Sequence, residues 1–470
     1  MMLSRAGSRV VAWCALLALA GCAVTLLSGV AAGVTYTPWE PALRSIGLTL
    51  QQVRPIHDTF AFAWVFLGSV TVVYFYVLGE SGAPSAAMQR RVFWQLTLWS
   101  LAGVGILATL LGGLFSGREY IGYHPAFSVL ILIGWLLFAK NYFARVGFRL
   151  RGRPVYIYMW TVGICLFVVA YIEGHLYLLD FFAHRPIRDI AIQWKSNGVL
   201  VGSFNLLAYG SLMYITGRIQ GDDRYSHSRT AYALFCVGLL NSFANYGHHT
   251  YHLPQSSWIH WISFSVSMLE SIILVKVVLD IPGLWNTHPR SVALQTPLRF
   301  VRSAALWSAL LLVLALAISV PPLNTLIHGT HVVVAHSMGS MLGIDSMILW
   351  AGLAYVMIFL TGPRERIAWG HHIPGAILLA NFLLFLLWAT LLARGLAAAW
   401  SRYMGPSSPD FSLWLAVSPL IVLFSGAGLA MTLFWIFAHW TTALWSAARA
   451  STAAELGPLD TRSIPQDPSR

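Results

Sequence analysis

The chain has 470 residues, of which 57% are hydrophobic and only 10% are charged, and its formal net charge is +12. This composition is far from that of a soluble domain and is typical of a membrane protein. The basic residues are distributed over separate loops, so the positive charge indicates membrane orientation and does not predict nucleic-acid binding.

Apolar runs that could cross a bilayer recur along the whole chain. A spanning helix needs about 20 apolar residues, and Arg, Pro and Gly clusters separate such runs from one another. The twelve predicted spans are residues 10–32, 56–78, 92–115, 125–142, 155–179, 192–216, 231–249, 258–279, 301–321, 331–360, 373–396 and 412–440. The predicted fold is therefore all-α, with one polytopic membrane domain over residues 1–450 and a disordered cytoplasmic tail over residues 451–470.

Arginine is concentrated in alternate loops between these spans. The loops containing residues 90–91, 145–153, 218–229, 290–302 and 364–366 carry most of it, and they share one side with Arg5, Arg9 and the C-terminus. Cytoplasmic loops of membrane proteins carry an excess of Lys and Arg. Both termini are therefore predicted to be cytoplasmic, in a bacterial-type inner membrane.

With this topology, four spans bring imidazole or amide side chains to one outer layer. They are His57 in the first turn of the second span, Asn197 near the start of the sixth, His248 and His249 at the end of the seventh, and His336 about two turns into the tenth. Ionisable groups inside a membrane are costly and indicate function by default. Neutral imidazole binds iron and copper and is a common axial ligand of haem. By contrast, His371 and His372 are predicted to be interfacial, at the cytoplasmic end of the eleventh span.

Four stretches of sequence resemble the catalytic subunit of the haem–copper oxidase superfamily, chiefly its nitric oxide reductase branch, and C-type cytochrome c oxidase subunit I is also similar. They are RPIHDTFAFAWVFLG around His57, GREYI from Gly117, GHHTYHLPQSSWIHWISFSVSMLE from Gly247, and HGTHVVVAHSMG from His328. The resemblance covers roughly residues 48–360. It implies the twelve-helix bundle of that subunit.

The resemblance also implies a set of cofactor ligands. His57 matches a ligand of the low-spin haem b, and His336 matches the proximal ligand of the high-spin haem. Met338 stands where the family has the second low-spin ligand, so that haem would have His57 and Met338 as ligands; the alternative is that Met338 is a packing residue. Glu119 matches a residue that helps to bind calcium beside the haem propionates.

The second metal site departs from the family pattern. His248 and His249 match the pair that holds copper or non-haem iron, but Asn197 stands at the position of their third His partner. Val201 and Asn205 replace two glutamates of nitric oxide reductases. A neutral amide is a poor ligand for these metals, so both a bound second metal and an altered site without one are open. His252 and His260 are alternative ligands, although Pro254 interrupts the helix between them.

The substitutions also bear on the reaction. Oxygen-reducing C-type oxidases carry a tyrosine six residues before the His pair, and that position is Ser242 here. Glu270 is predicted as an acid near the site, with Asn197 and Asn205 as further candidate catalytic residues; Glu173 and Asp345 are weaker candidates. The resemblance favours nitric oxide reduction. A cytochrome c oxidase-like oxygen reductase, a nitric oxide dismutase-like enzyme and a non-catalytic haem protein that binds nitric oxide are the alternatives.

Electrons for any of these reactions must come from outside the chain. The sequence contains no C-x-x-C-H haem attachment motif and no copper-binding cysteine pair. The predicted partners are therefore a separate cytochrome c-type subunit or a quinol as the electron donor, a small gaseous substrate (NO or O₂), and the lipid bilayer.

Overall fold

The computed structural model describes residues 3–80, 82–251, 253–280, 292–368 and 372–449. His252, His371 and the predicted tail over residues 451–470 lie outside these ranges, as does the side chain of His248. In the described residues the regular structure is entirely helical.

In the described ranges, twelve long helical segments follow one another. They are α1 (Arg5–Val34), α2 (Leu50–Glu80), α3 (Ala86–Leu111), α4 (Ala126–Val146), α5 (Val155–Glu173), α6 (Pro186–Gln220), α7 (Arg229–Ala244), α8 (Ser257–Asp280), α9 (Gln295–Ser319), α10 (His331–Met338, then the π-helix Gly339–Ser346 and the α-helix Met347–Ala368), α11 (Ile373–Met404) and α12 (Ser412–Arg449). Short helices at Glu40–Ser45, Asp180–Ala183 and Pro321–Ile327 connect them, with 3₁₀ turns at Leu176–Leu178, Arg224–His227, Asn245–His249, Val292–Leu294 and Gly405–Ser407.

Within the described ranges, eleven of these segments are long and apolar enough to cross a membrane, one fewer than predicted. The difference lies at α7, which has only 16 residues before it tightens into the 3₁₀ turn Asn245–His249. The apolar run from 231 to 249 is therefore split, and the paired histidines lie in the 3₁₀ turn that follows the α-helix.

Two predicted depths change because the helices begin earlier than the apolar runs do. α2 starts at Leu50, so His57 is two turns into the helix, and Pro55 lies inside it. α6 starts at Pro186, so Asn197 is about three turns in. Hydropathy identifies only the apolar part of a helix. Pro55 directly precedes the apolar run of α2, and proline is common at the first position of a helix, so the run resembled a helix start.

Side-chain caps fix several of the helix ends. The hydroxyls of Ser4, Ser85 and Ser228 accept hydrogen bonds from the backbone N–H groups of Gly7, Met88 and Ala231, at 3.1, 3.2 and 3.1 Å. Such caps satisfy donors that have no partner within the helix. α6 ends at Gln220, and the following Gly221 has a positive φ of 72°, which suits a residue without a Cβ.

The arrangement of the helices places α2, α6 and α10 at the centre. In the apolar stretches of α2, α6 and α10, 83%, 89% and 83% of the residues are buried within the protein, against 22% in α3. α1 packs against α2 and α12, α5 against α6, and α3 against α4. The central helices are therefore surrounded by protein, and the outer ones present apolar side chains to lipid.

Candidate functional site

A cavity of about 690 Å³ lies between the central helices. Residues of α1, α2, α6, α7, α8, α9, α10, α11 and α12 line it, and most of its wall is apolar. This volume is in the range that holds sizeable organic ligands. Among the residues predicted from the sequence, those that line the cavity are His57, Glu119, Asn205, His249, Glu270, His336 and Met338.

The His57 ring is oriented by the neighbouring helix α1. Its Nδ1 lies 2.9 Å from the backbone carbonyl oxygen of Thr25, so Nδ1–H donates to that oxygen. Nε2 is then the unprotonated nitrogen, which is the form that binds a metal. The ring rests against Gly29, where a side chain would leave no room for it. This arrangement fits an axial haem ligand.

His336 and Met338 come from the first α-helical part of α10. Nδ1 of His336 is buried and has no hydrogen-bond partner among the described residues, which is unfavourable for a polar atom that binds nothing. Met338 is the last residue before the π-helix and is half-buried at the cavity wall. Side chains two residues apart on an α-helix point in directions roughly 200° from one another. The His336 and Met338 side chains therefore face different parts of the cavity.

These residues fit the haems that the sequence predicts. The chain offers an oriented imidazole from α2, an unpartnered imidazole and a thioether from α10, and an apolar wall around them. Imidazole and thioether are established haem ligands.

Glu119 lies on the loop that follows α3 and forms an ion pair with Arg54 of α2. Nη2 of Arg54 is 2.5 Å from the Glu119 carboxylate, and Nε of the same arginine is 3.5 Å from the Asp58 carboxylate. Calcium takes six to eight oxygen ligands. Among the described side chains two carboxylates meet here and Arg54 offsets one of their two negative charges, so these side chains do not by themselves form the predicted calcium site.

The residue after Glu119 holds this loop in an unusual backbone conformation. Tyr120 has a φ of 65° and stacks on Phe62 of α2, with the ring centroids 4.3 Å apart. Burial raises the pKa of Tyr120 above its ordinary value, so the phenol stays neutral. The buried ring fixes the position of the neighbouring Glu119 at the rim of the cavity.

The described side chains around His249 do not form a second metal site. The His249 ring stacks on Trp194 of α6, with centroids 4.9 Å apart and planes 4° from parallel. No group of three or more His, Cys, Asp or Glu side chains gathers at any point of the described chain. Asn197 is buried beside the cavity but does not line it, whereas Asn205 and Val201 do. His260 contacts the Tyr251 ring instead. The side chain of its predicted partner His248 lies outside the described part of the chain, so the donors described beside the His249 imidazole here are neutral amides.

Glu270 has a defined hydrogen-bond partner at the cavity wall. Nδ2 of Asn241 on α7 donates to its carboxylate, and Oδ1 of Asn241 accepts a hydrogen bond of 2.9 Å from the Ser267 hydroxyl. The Asn241 amide is thereby fixed in one orientation. Glu270 and Asn241 both line the cavity, so the carboxyl faces the space where a substrate would lie.

Several cavity residues were not found from the sequence. The main ones are Tyr36, Arg54, Trp194, Asn241 and Arg394. Arg394 stands alone in the apolar run of α11, a signal that could have been used; its Nη1 donates to the Leu415 carbonyl at 2.6 Å and the Ser418 hydroxyl at 2.8 Å. Arg54, Trp194 and Asn241 carry no sequence signal because their role depends on the rotation of their helices, and Tyr36 lies in the turn after α1.

Three comparisons with known proteins identify the family and the fold of this chain. Residues 9–430 match the sequence family described as Cytochrome C and Quinol oxidase polypeptide I. The chain is 21% identical over 350 residues to a nitric oxide reductase subunit of Stutzerimonas stutzeri, a match that covers 68% of this chain and 69% of that protein. Its fold is similar to the cryo-EM structure of a heme-copper terminal oxidase dimer, with a TM-score of 0.74, 14% identity, and coverage of 96% of this chain and 86% of that one.

Proposed function

Because the chain belongs to the family of cytochrome c and quinol oxidase polypeptide I, we propose that it reduces nitric oxide in the cavity between α2, α6, α8 and α10. Members of this family are haem-containing respiratory oxidoreductases, and this chain is a multi-pass membrane protein of that class. The predicted fold is confirmed by the family match and the structural similarity.

The observation that carries the choice of nitric oxide is the pair of substitutions at Ser242 of α7 and Asn197 of α6. Ser242 stands at the position where the C-type oxidases have their tyrosine, and its hydroxyl donates to the Gly238 carbonyl at 2.8 Å. Asn197 replaces the histidine partner of that tyrosine. The paired Tyr and His that oxygen reduction uses are therefore both replaced, and the relative that is 21% identical belongs to a nitric oxide reductase.

His57 and Met338 would hold a low-spin haem b and His336 a high-spin haem. When bound, haem supplies one-electron transfer and an iron that takes up small gases. The protein contributes the orientation of the His57 ring through Thr25 and an apolar wall that limits the access of water.

Glu270 would deliver protons to the substrate. Nitric oxide reduction consumes protons, and a general acid must lie within reach of the reacting atoms. Asn241 holds the Glu270 carboxyl at the cavity wall, where it can donate the proton of one carboxyl oxygen and then be reprotonated. No step is assigned to a second metal or to calcium.

A separate protein or a quinol would supply the electrons from the outer side. The arginine distribution in the loops predicts that both termini are cytoplasmic. The segment after α1, which carries the exposed Trp39, then faces outward. A cytochrome c-type subunit or a quinol docking there would approach the His57 end of the cavity.

The test is gas consumption by the purified full-length protein with a chemically reduced electron donor. We expect electron-dependent loss of nitric oxide with formation of N₂O, and haem b in the optical spectrum. Consumption of O₂ instead would favour an oxygen reductase, release of O₂ from nitric oxide would favour a dismutase, and a spectral shift without turnover would favour a binding protein. A protein purified without haem would overturn the proposal.

Two carboxyl-to-amide variants distinguish a loss of proton donation from a loss of folding. Glu270→Gln should lower turnover by roughly 10²- to 10⁴-fold while leaving the haem spectrum unchanged. Glu40→Gln, which removes a carboxyl from the surface pair with Arg44, should leave both unchanged. Full activity of Glu270→Gln would refute the role of Glu270.

A further inference from the structure

The connection between α5 and α6 carries an apolar surface that no other part of the described chain covers. It contains the 3₁₀ turn Leu176–Leu178 and the short helix Asp180–Ala183, and it ends at Pro186, where α6 begins. Four large apolar side chains of this connection and of the first turn of α6 are 52% to 59% exposed: Leu178, Leu179, Phe181 and Ile187. Large apolar side chains that lie together on a surface mark an interaction site. We call these four residues, together with Arg185 and Arg188, the α5–α6 patch.

Backbone hydrogen bonds hold the α5–α6 patch in one conformation. The backbone N–H of Leu179 donates to the Leu176 carbonyl at 3.0 Å, and that of Arg185 donates to the Phe182 carbonyl at 3.0 Å. The short helix contacts both the 3₁₀ turn before it and α6 after it. The patch is therefore formed in advance, and a ligand that binds to it has little ordering entropy to offset.

Two arginines at the start of α6 face the aromatic ring of the patch. Cζ of Arg188, in the first turn, lies 3.9 Å from the centre of the Phe181 ring, and Cζ of Arg185, directly before the helix, lies 5.8 Å from it. Nη1 of Arg188 also donates to the Phe181 carbonyl at 3.4 Å. A guanidinium group that stacks on a ring keeps N–H donors at its edge, so the two groups together can bind one anion.

The nearby carboxylates have other partners. Oδ2 of Asp189 lies 2.9 Å from Nη1 of Arg118, and Oδ1 of Asp180 lies 3.9 Å from Nε2 of His184. Among the described residues, no carboxylate oxygen lies within 4.0 Å of a side-chain nitrogen of the two patch arginines. The α5–α6 patch therefore combines exposed apolar side chains with two positive charges that the described residues do not neutralise.

The position of the patch, between the ends of two spanning helices, indicates what covers it. Val169 and Ile172 are exposed on α5 up to its last turn, so the apolar surface continues from the spanning part of α5 into the patch. The headgroup phosphates of a bilayer lie at this level, where arginine and aromatic side chains are common. A guanidinium group binds a phosphate through two parallel hydrogen bonds. A soluble acidic protein would match the two charges, but it would not cover the apolar surface that continues into the membrane.

We propose that the α5–α6 patch binds the headgroup of an anionic phospholipid, with the phosphate between Arg185 and Arg188 and the acyl chains on the apolar side chains of the patch. The two positive charges favour an anionic lipid over a zwitterionic one. The bound lipid would fix the start of α6, the helix that carries Trp194 and Asn205 to the central cavity. This site is independent of which gas reacts in the cavity.

The first experiment is a lipid titration of the purified full-length protein in detergent. Thermal unfolding is measured while phosphatidylglycerol is added, because a ligand that binds the folded state raises the transition temperature. Half-maximal stabilisation should require about fivefold more lipid in Arg185→Gln and about 30-fold more in the double variant Arg185→Gln/Arg188→Gln. Arg44→Gln removes an exposed arginine that pairs with Glu40 on the same predicted side of the membrane, and it should behave as the wild type.

Three results of this titration would contradict the proposal. A double variant with the wild-type titration curve would show that the two arginines do not bind the lipid. Equal stabilisation by inorganic phosphate would show that the patch is an ion site, and equal stabilisation by phosphatidylcholine would refute the preference for an anionic lipid.

The second experiment identifies the occupant of the patch directly. The photoreactive residue p-benzoylphenylalanine replaces Phe181 in the full-length protein, which is reconstituted into bilayers of phosphatidylglycerol and phosphatidylcholine and irradiated. Mass spectrometry should find lipid adducts in which phosphatidylglycerol exceeds its share of the bilayer, and this excess should disappear when Arg185 and Arg188 are both replaced by Gln. Adducts with peptides in place of lipids would show that a protein covers the patch and would overturn the proposal.

Discussion

Gly29 is the position at which a single methyl group tests the low-spin haem assignment. A Cβ added to Gly29 would lie 2.9 Å from Cε1 and 3.0 Å from Nδ1 of His57. Carbon atoms pack best at about 3.5–4.0 Å, so the ring would have to move by more than about half an ångström. Nδ1 is held at 2.9 Å from the Thr25 carbonyl, so this movement weakens the hydrogen bond that orients the ring.

The size of the effect follows from the role of that hydrogen bond. Loss of a group that orients a metal-binding histidine typically lowers affinity by about 10- to 100-fold, which corresponds to about 1.4–2.8 kcal/mol. Gly29→Ala should therefore lose much of its low-spin haem b and keep the high-spin signal associated with His336.

The assay is the reduced-minus-oxidised optical spectrum and the EPR spectrum, normalised to protein. Gly21→Ala is the matched control on the same helix, because the nearest atom to its added Cβ is Cδ1 of Leu67 at 3.7 Å, an ordinary contact. If Gly29→Ala retained as much low-spin haem as Gly21→Ala, the assignment of His57 would be wrong.

Three further predictions concern other parts of the molecule. Met338→His should lower the reduction potential of the low-spin haem, because a thioether ligand raises that potential; potentiometric titration measures it, and an unchanged potential would mean that Met338 is a packing residue. Asn241→Leu should lower turnover without loss of haem, because it removes the donor to Glu270; activity equal to wild type would show that this hydrogen bond is dispensable. Tyr74→Phe should destabilise the bundle by about 1 kcal/mol, because the Tyr74 hydroxyl donates to Gln95 at 2.6 Å and accepts from Asn141 at 2.9 Å. Thermal unfolding in detergent measures the loss of stability, and an unshifted transition would contradict the prediction.

The membrane class, the order of the helices and the family are evident from the amino-acid sequence alone. A bilayer requires about 20 apolar residues per span, and that requirement is visible in one dimension. The helix order placed His57, His249 and His336 near one layer and the family resemblance added Glu270 and Met338; all five line the same cavity.

The way in which those side chains are held depends on the packing of the helices. α2, α6 and α10 are buried on all sides, so they have no polar stripe from which their rotation could be inferred. The hydrogen bond from His57 to Thr25, the ion pair of Arg54 with Glu119 and the contact of Asn241 with Glu270 each join different elements of the structure. Such contacts depend on helix rotation and side-chain geometry, which hydropathy does not encode, and the π-helix around Asp345 depends on packing by Trp64 and Trp307 from other helices.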